Sequence, residues 1–174
     1  MRSRTLQYKN HLFVYDFLTQ YSIKNSKKVP ILSSINVKIE NIKIDDINQF
    51  YLNLVSTQLL GHSYVLCKST KDILNLESKS MGTNAYFVLE NTVLAVYKKK
   101  ASKILKEYFS NTGSIVYSKD FLSIIEYFSS DQKVLKLAEK ASTKHLKIIF
   151  SFKINNSTNS SKILYFFKSL GYPY

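Results

Sequence analysis

The end of the chain constrains the fold more than any other stretch. From Lys144 it runs KHLKIIFSFKINNSTNSSKILYFFKSLGYPY. His145 to Lys153 alternates, with Leu146, Ile148, Phe150 and Phe152 on one side and Lys147, Ile149, Ser151 and Lys153 on the other. A period of two is that of a strand with one buried face. Asn155 to Ser160 is polar and turn-rich, and Asn159 or Ser160 suits the N-cap of a following helix. Ile163, Leu164, Phe167 and Leu170 then share one stripe. Gly171 supplies a left-handed C-cap, and Pro173 keeps the helix from resuming. A strand, a loop and an amphipathic helix in this order imply a final helix docked on a sheet. Their apolar residues read as core.

Upstream segments follow the same two periods. Leu6 to Ser22 reads as a helix in which Leu12, Tyr15 and Leu18 or Thr19 share one side while Phe13, Phe17 and Tyr21 repeat at fours. Such an aromatic helix must cover something. Asn25 to Lys28 is a basic linker ended by Val29-Pro30. Ile31 to Glu40 alternates as a strand, with Ile35, Val37 and Ile39 inward and Ser34, Asn36, Lys38 and Glu40 on a wet face. Asp45 and Asp46 suit the start of a helix reaching Leu60, striped by Ile47, Phe50, Tyr51, Leu54 and Gln58 and ended by Gly61.

Tyr64 to Lys68 reads as a short strand. Ser69 to Gly82, with mixed charge and weak periodicity, reads as a long exposed loop. Ala85 to Asn91 reads as a strand. Thr92 to Phe109 reads as a long helix with the basic centre Lys98-Lys99-Lys100. Ile115 to Tyr117 and Leu122 to Phe128 read as strands, and Asp131 to Lys140 as a short helix. The expected fold is α+β: one domain over 1–174 with a mostly antiparallel curved sheet and helices packed on one face. Residues 1–28 form its N-terminal helix and linker.

The charge decides the class of partner. A net charge of +13 on 174 residues favours a polyanion, nucleic acid or an anionic surface. The positive charge is almost all lysine, since Arg2 and Arg4 are the arginines. Lys, Asn, Ile, Tyr, Phe and Ser are abundant while Gly, Pro and Trp are scarce, which points to an A/T-biased genome such as many organellar genomes. A single cysteine, Cys67, allows no internal disulfide. No apolar run approaches the ~20 residues of a membrane helix.

Catalytic signatures are missing. His11, His62 and His145 lie in unrelated elements without metal-ligand spacing, and Cys67 has no CxxC partner. There is no phosphate-binding glycine loop and no nucleophile elbow. Neither an enzyme nor a cofactor is expected, and an RNA-modifying or nuclease domain would need a clustered His, Asp or Glu constellation.

The order of elements and several local strings resemble the large-subunit ribosomal protein L-five family, in its mitochondrial, organelle-encoded form. Three strings carry the likeness: Val29-Pro30-Ile31-Leu32 with Ile35-Asn36-Val37-Lys38, then Leu59-Leu60-Gly61-His62 with Val65-Leu66-Cys67-Lys68 and Lys71, and the ending Ile163-Leu164 with Leu170-Gly171-Tyr172-Pro173-Tyr174.

The resemblance implies a protein of the central protuberance in the mitochondrial matrix. It implies contacts with ribosomal RNA (5S rRNA or, where that is absent, large-subunit rRNA) through Asn36, Lys38, Lys68, Lys98 and Lys99. It also implies approach to P-site tRNA through a loop holding Lys71, Asn75 and Lys79. Neighbouring large-subunit proteins and a small-subunit head protein would be further partners, with no membrane involved. The chain departs from the family where Glu40-Asn41-Ile42 replace a Gly-x-Gly element, where Asn75-Leu76-Glu77 replace Gly-Phe-Lys, and where a Gly/Arg-rich extension shrinks to about Ser110–Ser118. The alternative reading is a free basic RNA-binding module outside the ribosome.

Overall fold

The structure, a computed structural model, describes residues 3–43, 47–70, 73–97, 114–120, 132, 136, 147–156 and 159–171. Its elements are helix α1 (Arg4–Tyr8), a π-helical turn (Lys9–Phe13), α2 (Val14–Gln20), strand β1 (Ile31–Lys43), α3 (Ile47–Gly61), β2 (Val65–Thr70) and β3 (Ile73–Met81). Next come α4 (Thr83–Tyr97), β4 (Ser114–Asp120), β5 (Lys147–Asn155) and α5 (Ser160–Ser169). The fold is α+β with a mostly antiparallel sheet, in the order β2-β3-β1-β5-β4. The chain divides into two compact units, one of residues 1–35, 81–116 and 152–174, the other of residues 36–80 and 117–151.

The first unit is built on aromatic packing between the two ends of the chain. Phe13 and Phe17 are fully buried, as the four-residue repeat predicts. Their rings lie 5.4 Å apart, and Phe13 meets Phe166 of α5 edge-on at 5.3 Å. Tyr21 stands edge-on to Tyr165 at 5.6 Å, and Phe167 reaches Phe152 of β5 at 5.4 Å. Such pairs add about 0.5–1.5 kcal/mol each beyond their burial. The terminal helix forms as expected. Asn159 caps it by accepting from Ser161 N at 3.0 Å, and Gly171 adopts φ +89°. Ile163, Phe167 and Leu170 of the expected stripe are buried, but Leu164 is only half-buried and Phe166 takes its place in the core.

Helix α4 replaces the expected strand at Ala85 to Asn91. Its apolar run AYFVL is compatible with either element, and a helix already under way from Thr83 takes it up. Ala85, Tyr86, Val88, Leu89 and Val93 are buried. The Tyr86 hydroxyl accepts from Leu32 N at 3.4 Å, and burial pushes its pKa up to about 12. Glu90 of α4 accepts from Ser3 Oγ at 2.8 Å and from Arg4 N at 3.1 Å.

In the second unit, β1 alternates as its sequence predicts. Val37 and Ile39 are fully buried, while Asn36, Lys38 and Glu40 are half-buried; earlier in the strand, Ser34, expected on the wet face, is buried. Residues 69–82 are not a loop. They complete β2 and form β3, paired antiparallel with Val65 opposite Ser78 and Thr70 opposite Ile73. The sequence hides this because the inner face of β3 is partly polar: Leu76, Ser78 and Ser80 are all buried, so hydrophobic alternation is lost.

Helix α3 also departs from expectation. Ile47 and Tyr51 of the expected core stripe are 69% and 62% exposed, and Gln58 is exposed. The buried side is Leu52, Asn53, Ser56, Thr57, Leu60 and Gly61. The left-handed residue that ends α3 is His62, at φ +46°, rather than Gly61. Gly61 serves a close approach instead: a Cβ there would lie 2.2 Å from Ser78 Oγ. The expected strand Leu122–Phe128 and the expected helix Asp131–Lys140 lie outside the described residues, except that Gln132 and Lys136 have helical backbone.

Candidate nucleic-acid interface

Strand alternation gathers most of the sequence-predicted contacts on one face. On β3, Leu76, Ser78 and Ser80 point inward, so Asn75, Glu77 and Lys79 share the opposite side. Register carries this face onto β2, where Lys68 stands opposite Asn75 and Leu66 opposite Glu77. Asn36 carries it onto β1, its Nδ2 donating to Glu77 Oε1 at 3.4 Å. Lys38 and Glu40 follow Asn36 on alternate positions. Thus Asn36, Lys38, Lys68, Asn75 and Lys79, assigned from the sequence to two separate contacts, occupy one face of three adjacent strands.

Asn75 and Lys79 therefore stand on a strand and not in a loop. A strand holds side chains at fixed spacing, which a long loop does not. Lys71, Lys98 and Lys99 lie outside the described residues.

The electrostatics of this face are mixed. Glu77 sits at its centre, with one oxygen taken by Asn36 and the other by Lys68 Nζ at 2.8 Å. Lys38 Nζ stands 2.5 Å from Glu40 Oε1. Two of the three lysines are thus already paired with carboxylates. Lys79 is exposed and has no ion pair with any described residue. The Lys68 side chain is 64% exposed. Solvent-exposed ion pairs are worth ~0–1 kcal/mol, so a phosphate can take the place of either carboxylate at small cost. Asn36 is half-buried within this face, and its Oδ1 is buried without a partner among the described residues. It orients Glu77.

No aromatic ring belongs to this face among the described residues; its positions are Asn36, Lys38, Glu40, Leu66, Lys68, Asn75, Glu77, Lys79 and Met81. Base stacking has no platform here. What the face offers is ammonium groups toward phosphates, together with the Asn75 amide. Glu77 is the residue that sequence reasoning passed over. Its place follows from the register of β2 and β3, which sets Lys68 and Glu77 diagonally across the two strands and which local pattern does not show.

Other chemistry is sparse. Among the described residues, no group of three His, Cys, Asp or Glu side chains could hold a metal ion, and no helix is long and apolar enough to cross a membrane. Cys67 is exposed on β2. Compared with known proteins, the sequence matches no protein-family model and no curated protein.

Proposed function

We propose that this chain is a structural RNA-binding protein of the mitochondrial large ribosomal subunit, seated in the central protuberance and without catalysis of its own. The observation that carries this reading is the single sheet face on which Lys38, Lys68, Asn75 and Lys79 stand together. The net charge of +13 and the ordered strings that resemble the L-five family support it. On this reading the lysines bind rRNA phosphates (5S rRNA, or large-subunit rRNA where 5S is absent), and the β2–β3 hairpin approaches P-site tRNA. Neighbouring large-subunit proteins, and a small-subunit head protein across the interface, complete its surroundings.

Crosslinking of the tagged chain inside intact mitochondria, followed by sequencing of the attached RNA, tests the proposal. Expected are crosslinks to large-subunit or 5S rRNA, and co-sedimentation with the large subunit that high salt disrupts. Crosslinks spread over messenger RNA without ribosomal enrichment would instead favour a free RNA-binding module.

A further inference from the structure

Helix α3 turns its bulky apolar side chains to solvent. Ile47 is 69% exposed, Tyr51 62%, Val55 38% and Leu59 37%. They recur every fourth residue and so form one ridge. The opposite, buried side holds Leu52 and Leu60 beside the small or polar Asn53, Ser56, Thr57 and Gly61. Ser56 Oγ donates to Leu52 O at 2.6 Å, and Thr57 Oγ1 donates to Asn53 O at 2.7 Å. Gly61 meets β3 too closely to admit even a methyl group. The small residues on that side let α3 approach β3 closely at Gly61, and the ridge stays outward. Two pockets lie along it, one of about 440 Å³ lined by Val55, Gln58, Leu59, His62 and Ser63. The other is about 290 Å³, lined by Ile42, Ile47, Phe50 and Leu74.

Charge and area select the occupant. From Ile47 to Tyr64 there is no Lys, Arg, Asp or Glu, in a chain that is 21% charged. A surface without ammonium groups suits neither a phosphate backbone nor an anionic lipid layer. Ile47 to Leu59 at 1.5 Å per residue spans about 18 Å, and one helix is about 10 Å wide. That is on the order of 200 Å², far below the ~800 Å² per partner of a stable protein interface. Two copies at +13 each would also repel. A single helix laid along the ridge matches its length, and its anchors would fall in the two pockets.

We propose that the outer ridge of α3 docks one amphipathic helix of a different, acidic protein. Acidity complements the +13 of this chain and speeds encounter. The ridge lies on the opposite side of the sheet from the lysine face, because α3 packs on the Ser78 and Ser80 side. The inference is therefore independent of the RNA-binding reading.

The test uses the full chain and a fluorescent acidic peptide of about 18 residues, long enough to span the ridge as a helix. Its apolar side carries leucine at helical spacing, and a scrambled peptide of equal charge is the control. Anisotropy should show binding of the first peptide only, weakened about tenfold or more, ~1.4 kcal/mol, by Tyr51→Asp or Leu59→Glu. Both positions are exposed, and unchanged RNA affinity and melting temperature would show the variants intact. Equal binding by the variants, or no preference over the scrambled peptide, would overturn the proposal. So would a dimer of the native chain that Leu59→Glu dissociates, since a second copy would then be the occupant.

Discussion

Lys68 Nζ stands 2.8 Å from Glu77 Oε2 across the β2–β3 hairpin, while Asn36 holds the other carboxylate oxygen. The pair is diagonal, since Leu66 is the residue directly opposite Glu77. The carboxylate is the less exposed partner, at 21% against 64%. Lysine therefore keeps its ammonium near solvent while Glu77 is held back in the sheet.

This arrangement predicts opposite effects for two substitutions. Glu77→Gln removes a negative charge from the centre of the face, frees Lys68 and should tighten RNA binding. Lys79→Ala removes an ammonium that no described carboxylate engages. It should weaken binding across sequences and flatten the salt dependence by a slope of about 0.9 for duplex, or about 0.7 for a single strand. Titrations at several salt concentrations read both effects. If Glu77→Gln left affinity unchanged and Lys79→Ala left the slope unchanged, the lysine face would not be the RNA surface.

Gly61 and Ser78 predict a steric coupling. A Cβ at Gly61 would fall 2.2 Å from Ser78 Oγ and 2.5 Å from Ser78 Cβ, with the backbone Cα 3.7 Å away. Gly61→Ala should therefore force α3 away from β3 and cost roughly 1–3 kcal/mol, in the range of overpacked cores. Thermal melting would show it as a drop of roughly 2–4 °C per kcal/mol for a chain of this size. Because the clash is with a side chain, Ser78→Gly in the same molecule should recover part of the loss. Additive effects in the double variant would mean that the two residues do not touch.

His62 predicts a weak acid sensitivity. It ends α3 at φ +46°, and burial holds its imidazole below the usual histidine range. The unfolded chain, titrating near 6.5, then binds the proton first. The contribution of His62 is intact above pH ~6.5, declines as pH falls below that value, and levels off once the folded imidazole is also protonated. The ring is partly open to solvent, so the effect is small. His62→Asn keeps a residue that tolerates positive φ while removing the titration. Urea midpoints at pH 7.5 and pH 5 should differ less for this variant than for the native chain. An equal loss in both would assign the acid sensitivity elsewhere.

The sequence was most legible where one periodicity met one buried face. Strand β5 buries Ile148, Phe150 and Phe152 as read, and β1 and α5 depart from their reading only at Ser34, which is buried, and at Leu164, whose core place Phe166 takes. The readings failed where the interior is polar or small. Ser78 and Ser80 inside β3 erased the alternation that would have marked a strand. Ser56, Thr57 and Gly61 share the inner side of α3 with Leu52 and Leu60, so the stripe read from Ile47, Tyr51 and Gln58 was the wrong one. Lysines and asparagines on the lysine face were legible as candidates, but their common plane required a register that local pattern does not carry.

Asn53 gives the sharpest test of that polar interior. It is fully buried on the inner side of α3, and neither side-chain oxygen nor nitrogen has a partner among the described residues. A buried amide without hydrogen bonds costs about 1–3 kcal/mol in protein contexts. Leucine has the same number of side-chain heavy atoms with the same branching, and its helix propensity is higher. Asn53→Leu should therefore raise the urea midpoint, with a gain on the order of 1 kcal/mol after some repacking strain. Asn53→Asp should do the reverse and more strongly, because the same site would then hold an unpaired charge. A loss of stability in Asn53→Leu comparable to that in Asn53→Asp would mean that the amide is satisfied inside the fold, and that α3 is held to the sheet through it.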